Sequence, residues 1–113
     1  MDNRKIFKKY IPMTETAFYI LLSLTEPRHG YGIIKHVEEL TGGRLALGSG
    51  TIYGTLNKMQ KDGVIVLFAD EQRKTVYEIT VAGKSLMRVE ISRINELHQN
   101  ATKFKEYFNE KNV

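Results

Sequence analysis

The stretch LGSGTIYGTLNKMQKDGVIVLFADEQRKTVYEI, Leu47 to Ile79, changes texture half-way. Its first half carries Ile52, Leu56 and Met59 four and three residues apart, the spacing that puts apolar side chains on one face of a helix. Ser49 or Thr51 is a suitable N-cap, and Gly63 in KDG is a terminator, so the spacing predicts a helix over Ser49–Lys61. The second half reads as two strands. VIVLFA, Val64 to Ala69, is β-branched and aromatic, DEQRK is a polar turn, and TVYEI, Thr75 to Ile79, alternates.

Upstream, Thr14 caps a strongly apolar helix containing Ala17, Phe18, Ile20, Leu21, Leu22 and Leu24, which places it at the centre of a core. Pro27 and Gly30 break it. A second helix, Tyr31 to Leu40, carries Ile33, Ile34, Val37 and Leu40 at i, i+1, i+4, i+7 spacing, and Thr41-Gly42-Gly43 ends it. Downstream, Thr80 opens a long final helix. The order is helix, helix, helix, hairpin, long helix. The fold class is therefore mainly α with a small antiparallel β-hairpin.

Two chemistries compete for the glycines of the opening stretch. RLAL, GSG, the following helix and VIVLFAD would make a βαβ unit with Asp70 placed for a ribose. The spacing, however, is G-x-G-x-x-x-G, one residue late, with Tyr53 standing where the third glycine belongs. The candidate first strand has only four residues, and no further strand-helix units follow. A P-loop fails for want of a Lys-Ser/Thr pair. The alternative is a DNA reader: a supporting helix at Tyr31–Leu40 and a reading helix at Ser49–Lys61, whose N-terminal end enters the major groove. Ser49, Thr51, Tyr53 and Thr55, with Asn57 and Lys58 further along, offer groups for phosphates and base edges, and Gly50 and Gly54 let the backbone come close. A hairpin tipped by Arg73 and Lys74 would be the wing, making a winged helix-turn-helix.

Net charge is +4 with 42% hydrophobic and 27% charged residues over 113 residues, a composition that fits one globular domain with a polyanionic partner. Residues 1–10 form a basic arm with four basic side chains to one acidic. There is no cysteine, which excludes disulfides and Cys-based zinc or nucleophilic sites and fits a reducing, cytoplasmic setting. His29, His36 and His98 lack metal-ligand spacing, no G-x-S-x-G motif is present, and the adjacent acidic pairs diverge. The expectation is no catalysis, no cofactor, no metal and no membrane span.

The final helix carries Met87, Glu90, Ile94, Leu97, Ala101, Phe104 and Phe108 on alternating steps of three and four. This heptad seam suits packing along a second helix. The expected dimer interface is Met87, Ile94, Leu97, Ala101, Phe104 and Phe108. A cleft between such helices is a natural effector pocket, with Phe18, Met87, Ile91, Ile94 and Leu97 as candidate lining, although the same side chains serve equally to pack a dimer.

HGYGIIKHVEELTGG, LGSGTIYGTLNKMQKDGVI and RKTVYEITVAGKSLM resemble the PadR family of bacterial transcriptional regulators over residues 12–90. The long closing helix is similar to that of its compact subfamily, which has a single C-terminal dimerisation helix. The resemblance implies a winged-helix DNA-binding domain at 1–80 and a dimerisation helix at 81–113. It also implies a homodimeric repressor on palindromic double-stranded operator DNA, often released by a small effector. Thr51, Tyr53 and Gly54 fall on the reading motif, and Arg73 and Lys74 on the basic wing. The wing departs from relatives, since ADEQRK lacks their glycines and Val76-Tyr77 replaces a tyrosine pair. The rival class is a winged helix that binds protein and has no DNA specificity.

Overall fold

The computed structural model describes residues 3–71 and 74–109. Helices α1 (Arg4–Tyr10), α2 (Glu15–Leu22), α3 (Gly30–Leu40) and α4 (Ser49–Lys61) precede the hairpin of β2 (Ile65–Glu71) and β3 (Lys74–Ile79). The long α5 (Val81–Phe104) follows and ends in a 3-10 turn, Lys105–Phe108. A two-residue strand β1 (Arg28–His29) lies against β3, so the sheet runs β1-β3-β2, antiparallel throughout. The mainly helical architecture with a β-hairpin and a long closing helix is the one the sequence indicated.

Each boundary has a local cause. The Thr14 hydroxyl caps α2 by accepting from the Ala17 N–H at 3.1 Å. Both α3 and α4 end in Schellman turns with glycine in the left-handed region. Gly42 (φ 59°) follows α3, with the Gly43 N–H donating to Glu38 O at 2.8 Å. Gly63 (φ 79°) follows α4, with the Val64 N–H donating to Met59 O at 3.0 Å. A β-bulge at Phe68 breaks the β2–β3 register between Leu67 and Ala69 and leaves Val66, Leu67 and Phe68 all exposed.

Two elements escaped the sequence reading. The basic arm is helical from Arg4 to Tyr10 and sets Ile6, Phe7 and Tyr10 against the core. Two turns without a capping side chain are too short to form alone, so packing holds α1 in place. β1 likewise exists only through its pairing, Arg28 opposite Tyr77 and His29 opposite Val76. Ile20, Leu21, Leu24, Ile33, Val37, Ile52, Leu56, Met59, Val64, Ile65 and Leu86 are all at least 99% buried and make one core.

α5 joins that core through its first turns. The Thr80 hydroxyl caps it, accepting from the Gly83 N–H at 3.1 Å and donating to Gly63 O at 2.7 Å. Glu90, 1% exposed, accepts from the Met13 N–H at 2.8 Å and from Arg93 at 2.6 and 2.9 Å. It stands in the seam as a polar bracket between α5 and the α1–α2 connection. The Arg93 hydrogen bond, against the pull of burial and with help from the Met13 N–H, holds the Glu90 carboxyl below the usual carboxylate range. Met87, expected on the dimer seam, is buried in its own domain. After Glu90 nearly the whole helix is exposed, including Ile91, Ile94, Leu97 and Phe104.

The close approach of α5 to the hairpin depends on Gly83. A β-carbon there would overlap the Val64 carbonyl oxygen and lie 2.6 Å from Ile79 Cγ1. Gly83→Ala is therefore expected to destabilise the fold by about 1–3 kcal/mol despite its better helix propensity. Urea denaturation checks this; an unchanged or raised midpoint would contradict the packing.

Candidate nucleic-acid interface

The orientation of α4 follows from its three buried side chains, Ile52, Leu56 and Met59, each 0% exposed. At about 100° per residue, the opposite side of the helix is a spine of Gly50, Gly54, Asn57 and Lys61. All four are exposed, and Ser49, Thr51, Tyr53 and Lys58 are exposed beside them. The structure thus brings together on one helix every site residue predicted from the first half of the opening stretch. The expected cap differs: Gly48 stands at the N-cap, with no side chain closing the helix end. Ser49 is the first helical residue. No acidic residue occupies the first turn, so the positive end of the helix dipole faces outward unopposed.

Gly50 and Gly54 have nothing within 4 Å of an added β-carbon. Neither has a positive φ, unlike Gly42, Gly43 and Gly63. The fold itself places no demand on them, and inside a helix glycine costs about 1 kcal/mol relative to alanine.

Tyr53 has a role that its place in the motif concealed. Its ring lies over Gly30, where a β-carbon would meet the Tyr53 hydroxyl at 2.7 Å and the ring carbons at 2.8 Å. Gly30 opens α3 and is buried. Gly30 at the α3 start and Tyr53 of α4 form one packing unit, in which the tyrosine fills the space left by the missing side chain. Tyr53 also acts on Tyr77 of β3, whose hydroxyl is pushed above the usual tyrosine range by burial and then by the Tyr53 charge. Tyr53 still shows 44% of its surface.

The C-terminal end of α4 is pinned to α1. The Lys9 ammonium donates to Asp62 Oδ1 at 2.7 Å and the Tyr10 hydroxyl to Oδ2 at 2.6 Å. Burial opposes ionisation of Asp62, yet these two hydrogen bonds and the Lys9 charge hold its carboxyl below the usual range. Burial, then the Asp62 hydrogen bond and charge, pushes Tyr10 well above the usual tyrosine range. His36 Nδ1 lies 2.9 Å from the Ser23 hydroxyl, which itself donates to Tyr19 O. Among the described residues no cluster could hold a metal ion, and no helix is long and apolar enough to cross a membrane.

Of the wing, Lys74 begins β3 opposite Glu71, while Arg73 lies outside the described residues. An apolar cavity of about 390 Å³ lies between the end of α2 and α5. It takes in Met87 and Ile91 of the expected effector set but not Phe18, Ile94 or Leu97. Leu21, Leu22, Leu24, Thr25 and Ile79 also line it, and Lys84 and Arg88 carry its charge. Phe18 packs against the core instead, and Ile94 and Leu97 lie exposed further along α5.

The family model of the PadR-like transcriptional regulators matches residues 20–89, from the core of α2 to the buried turns of α5. The chain belongs to this family. Its winged helix recurs in a PadR family transcription regulator of Clostridium difficile, at 24% identity over 80% of this chain and 98% of that one, TM-score 0.71. A PadR-like transcription factor of Bacteroides fragilis is 22% identical over 91% of this chain and 99% of that one, TM-score 0.66. Bacillus subtilis PadR, solved in complex with operator DNA, is 24% identical over 69% of this chain and 47% of that one, TM-score 0.62. No functionally curated protein matches the sequence.

The Gly30–Tyr53 contact gives a direct test of the interface between α3 and α4. Gly30→Ala is expected to cost about 1–2 kcal/mol by crowding the ring. In a Tyr53→Ala background the same change should cost much less, a coupling that a double-mutant cycle by urea denaturation reads out. Strict additivity would mean that the two residues do not share this space.

Proposed function

We propose that this PadR family member is a homodimeric repressor that lays the outward spine of α4 in the major groove of operator DNA. One observation carries the reading: Gly50 and Gly54 stand in the middle of an exposed helix face where the fold gives glycine no advantage. A face kept bare at a cost to helix stability suits close approach by an outside body, and the residues around it suit a duplex. Asn57 can pair with an adenine edge, Ser49 and Thr51 can meet phosphates, and the uncapped helix start favours anions. Lys58, and Arg73 and Lys74 of the wing, supply charge. The operator complex of Bacillus subtilis PadR, which shares the fold, supports the same partner class.

Dimerisation accounts for the rest of α5. Ile94, Leu97, Ala101, Phe104 and Phe108 are exposed along and beyond the part of α5 that leaves the domain. A second copy would cover them, and its α4 would reach the next major groove about 34–36 Å away. The seam starts beyond Glu90, since Met87 is already buried. A small apolar or aromatic effector would enter the cavity at Met87 and Ile91, where α5 meets α2, and bias the spacing of the two reading helices.

Gly54→Ala and Asn57→Ala test the reading together. Gly54→Ala should leave stability unchanged or raise it by up to about 1 kcal/mol, because the site is open and alanine is the better helix former. Both substitutions should weaken binding to the DNA upstream of the protein's own gene by about tenfold or more, measured by fluorescence anisotropy with thermal melts alongside. Full affinity in both variants would remove α4 as the reading helix.

A further inference from the structure

We infer that a cleft on one flank of α4 is a phosphate-binding site, and that the phosphate it holds belongs to the backbone of the bound duplex. The inference rests on the proposed placement of α4 in the major groove. The cleft has a volume of about 220 Å³ and lies where α1, the start of α2 and the side of α4 meet. Its lining is about half apolar, and the polar part includes Lys9, Thr14, Thr16, Thr55 and Lys58.

Its chemistry is that of an oxyanion site. Three threonines and two lysines line one small space. Thr14 accepts from the Ala17 N–H, which leaves its own proton to donate. Within the described residues the Thr16 and Thr55 hydroxyls make no hydrogen bond. Both threonines are partly buried, so these are placed donors and not freely solvated ones. Asp62, bound to Lys9 and Tyr10, lies beside the cleft, and Glu15, between Thr14 and Thr16, is paired with Arg44. Lys58 lies across the Tyr10 ring at 5.9 Å and also acts on Asp62. The lining itself includes two lysines and no acidic residue, and Asp62 is matched by Lys9, which leaves the charge of Lys58 to an incoming anion.

The position explains why a backbone phosphate is the ligand. Lys58 lies about 60° round the helix from the outward spine, and Thr55 about 120° round on the same side. The cleft therefore opens beside the reading face, opposite the flank where Tyr53 meets α3 and the wing. A helix in the major groove has a sugar-phosphate wall on either side, and the groove is about 12 Å wide. The α3 and wing side meets one wall, and this cleft meets the other. It would fix the register of α4 on DNA without reading sequence.

Thr16→Val is the test, because Thr16 sits on α2, off the reading helix, and valine keeps its shape. Affinity of the full chain is measured for the upstream duplex and for a scrambled duplex across a salt series. The expected result is about a tenfold loss on both duplexes alike, as for a hydrogen bond to a charged group. Lys58→Met should flatten the slope of log affinity against log salt by about 0.9, one phosphate contact. The effects of Thr16→Val and Lys58→Met should be non-additive, since both groups hold the same phosphate. Wild-type binding with full affinity in a folded Thr16→Val variant overturns the site and leaves the reading helix standing, whereas a wild type that binds neither duplex overturns the functional reading itself. Titration with inorganic phosphate, followed by amide shifts, separates the sources. Shifts at Thr16 and Thr55 with DNA affinity untouched by Thr16→Val would assign the cleft to free phosphate and overturn the backbone contact.

Discussion

The burial of Ile52, Leu56 and Met59 under α4 fixes everything the molecule presents on its opposite side. A helix anchored by three residues spaced four and three apart cannot roll without exposing one of them. The outward line of Gly50, Gly54, Asn57 and Lys61 is therefore a consequence of core packing. The neighbours hold the helix at both ends. Tyr53 sits in the space over Gly30 near its start, and Lys9 and Tyr10 grip Asp62 at its finish. Rigid elements hold polar groups in place more closely than loops do, and here the candidate reading groups ride on a helix clamped along its length.

The same logic links α5 to α4 through the N-terminal segment. Glu90 of α5 holds the Met13 backbone, and three residues earlier Tyr10 holds the end of α4. A displacement of the long helix thus has a short covalent and hydrogen-bonded route to the helix proposed to read DNA. The apolar cavity beside Met87 and Ile91 lies at the other end of that route.

Much of this was legible in the sequence because it rests on local rules. The 3.6-residue spacing of Ile52, Leu56 and Met59, the caps at Thr14 and Thr80, and the glycines after α3 and α4 each declare themselves within a few residues. What stayed hidden depends on long-range partners. α1 is held by Asp62, fifty-two residues from Tyr10, and β1 by Tyr77 and Val76 of β3. Glu90 reads as a polar interruption of a heptad seam until Met13 and Arg93 close around it. Gly83 gives no sequence signal beyond being a glycine in a helix, because its reason is the Val64 carbonyl across the interface. The residues expected to read DNA share one helix as the spacing implied, but the packing role of Tyr53 needed the position of Gly30. Periodicity likewise could not divide the α5 seam between the chain's own core and an exposed face. Met87 falls on the core side and Leu97 on the exposed one.

The central claim is that the bare spine of α4 meets a DNA duplex. Its most direct test is an amide NMR titration of the protein with duplex from the region upstream of its own gene, at low and at raised salt. The account predicts that shift changes concentrate on Gly50, Thr51, Gly54, Asn57 and Lys58, and that binding weakens steeply as salt rises. Binding that leaves the α4 amides unmoved, or no binding even at low salt, would contradict it.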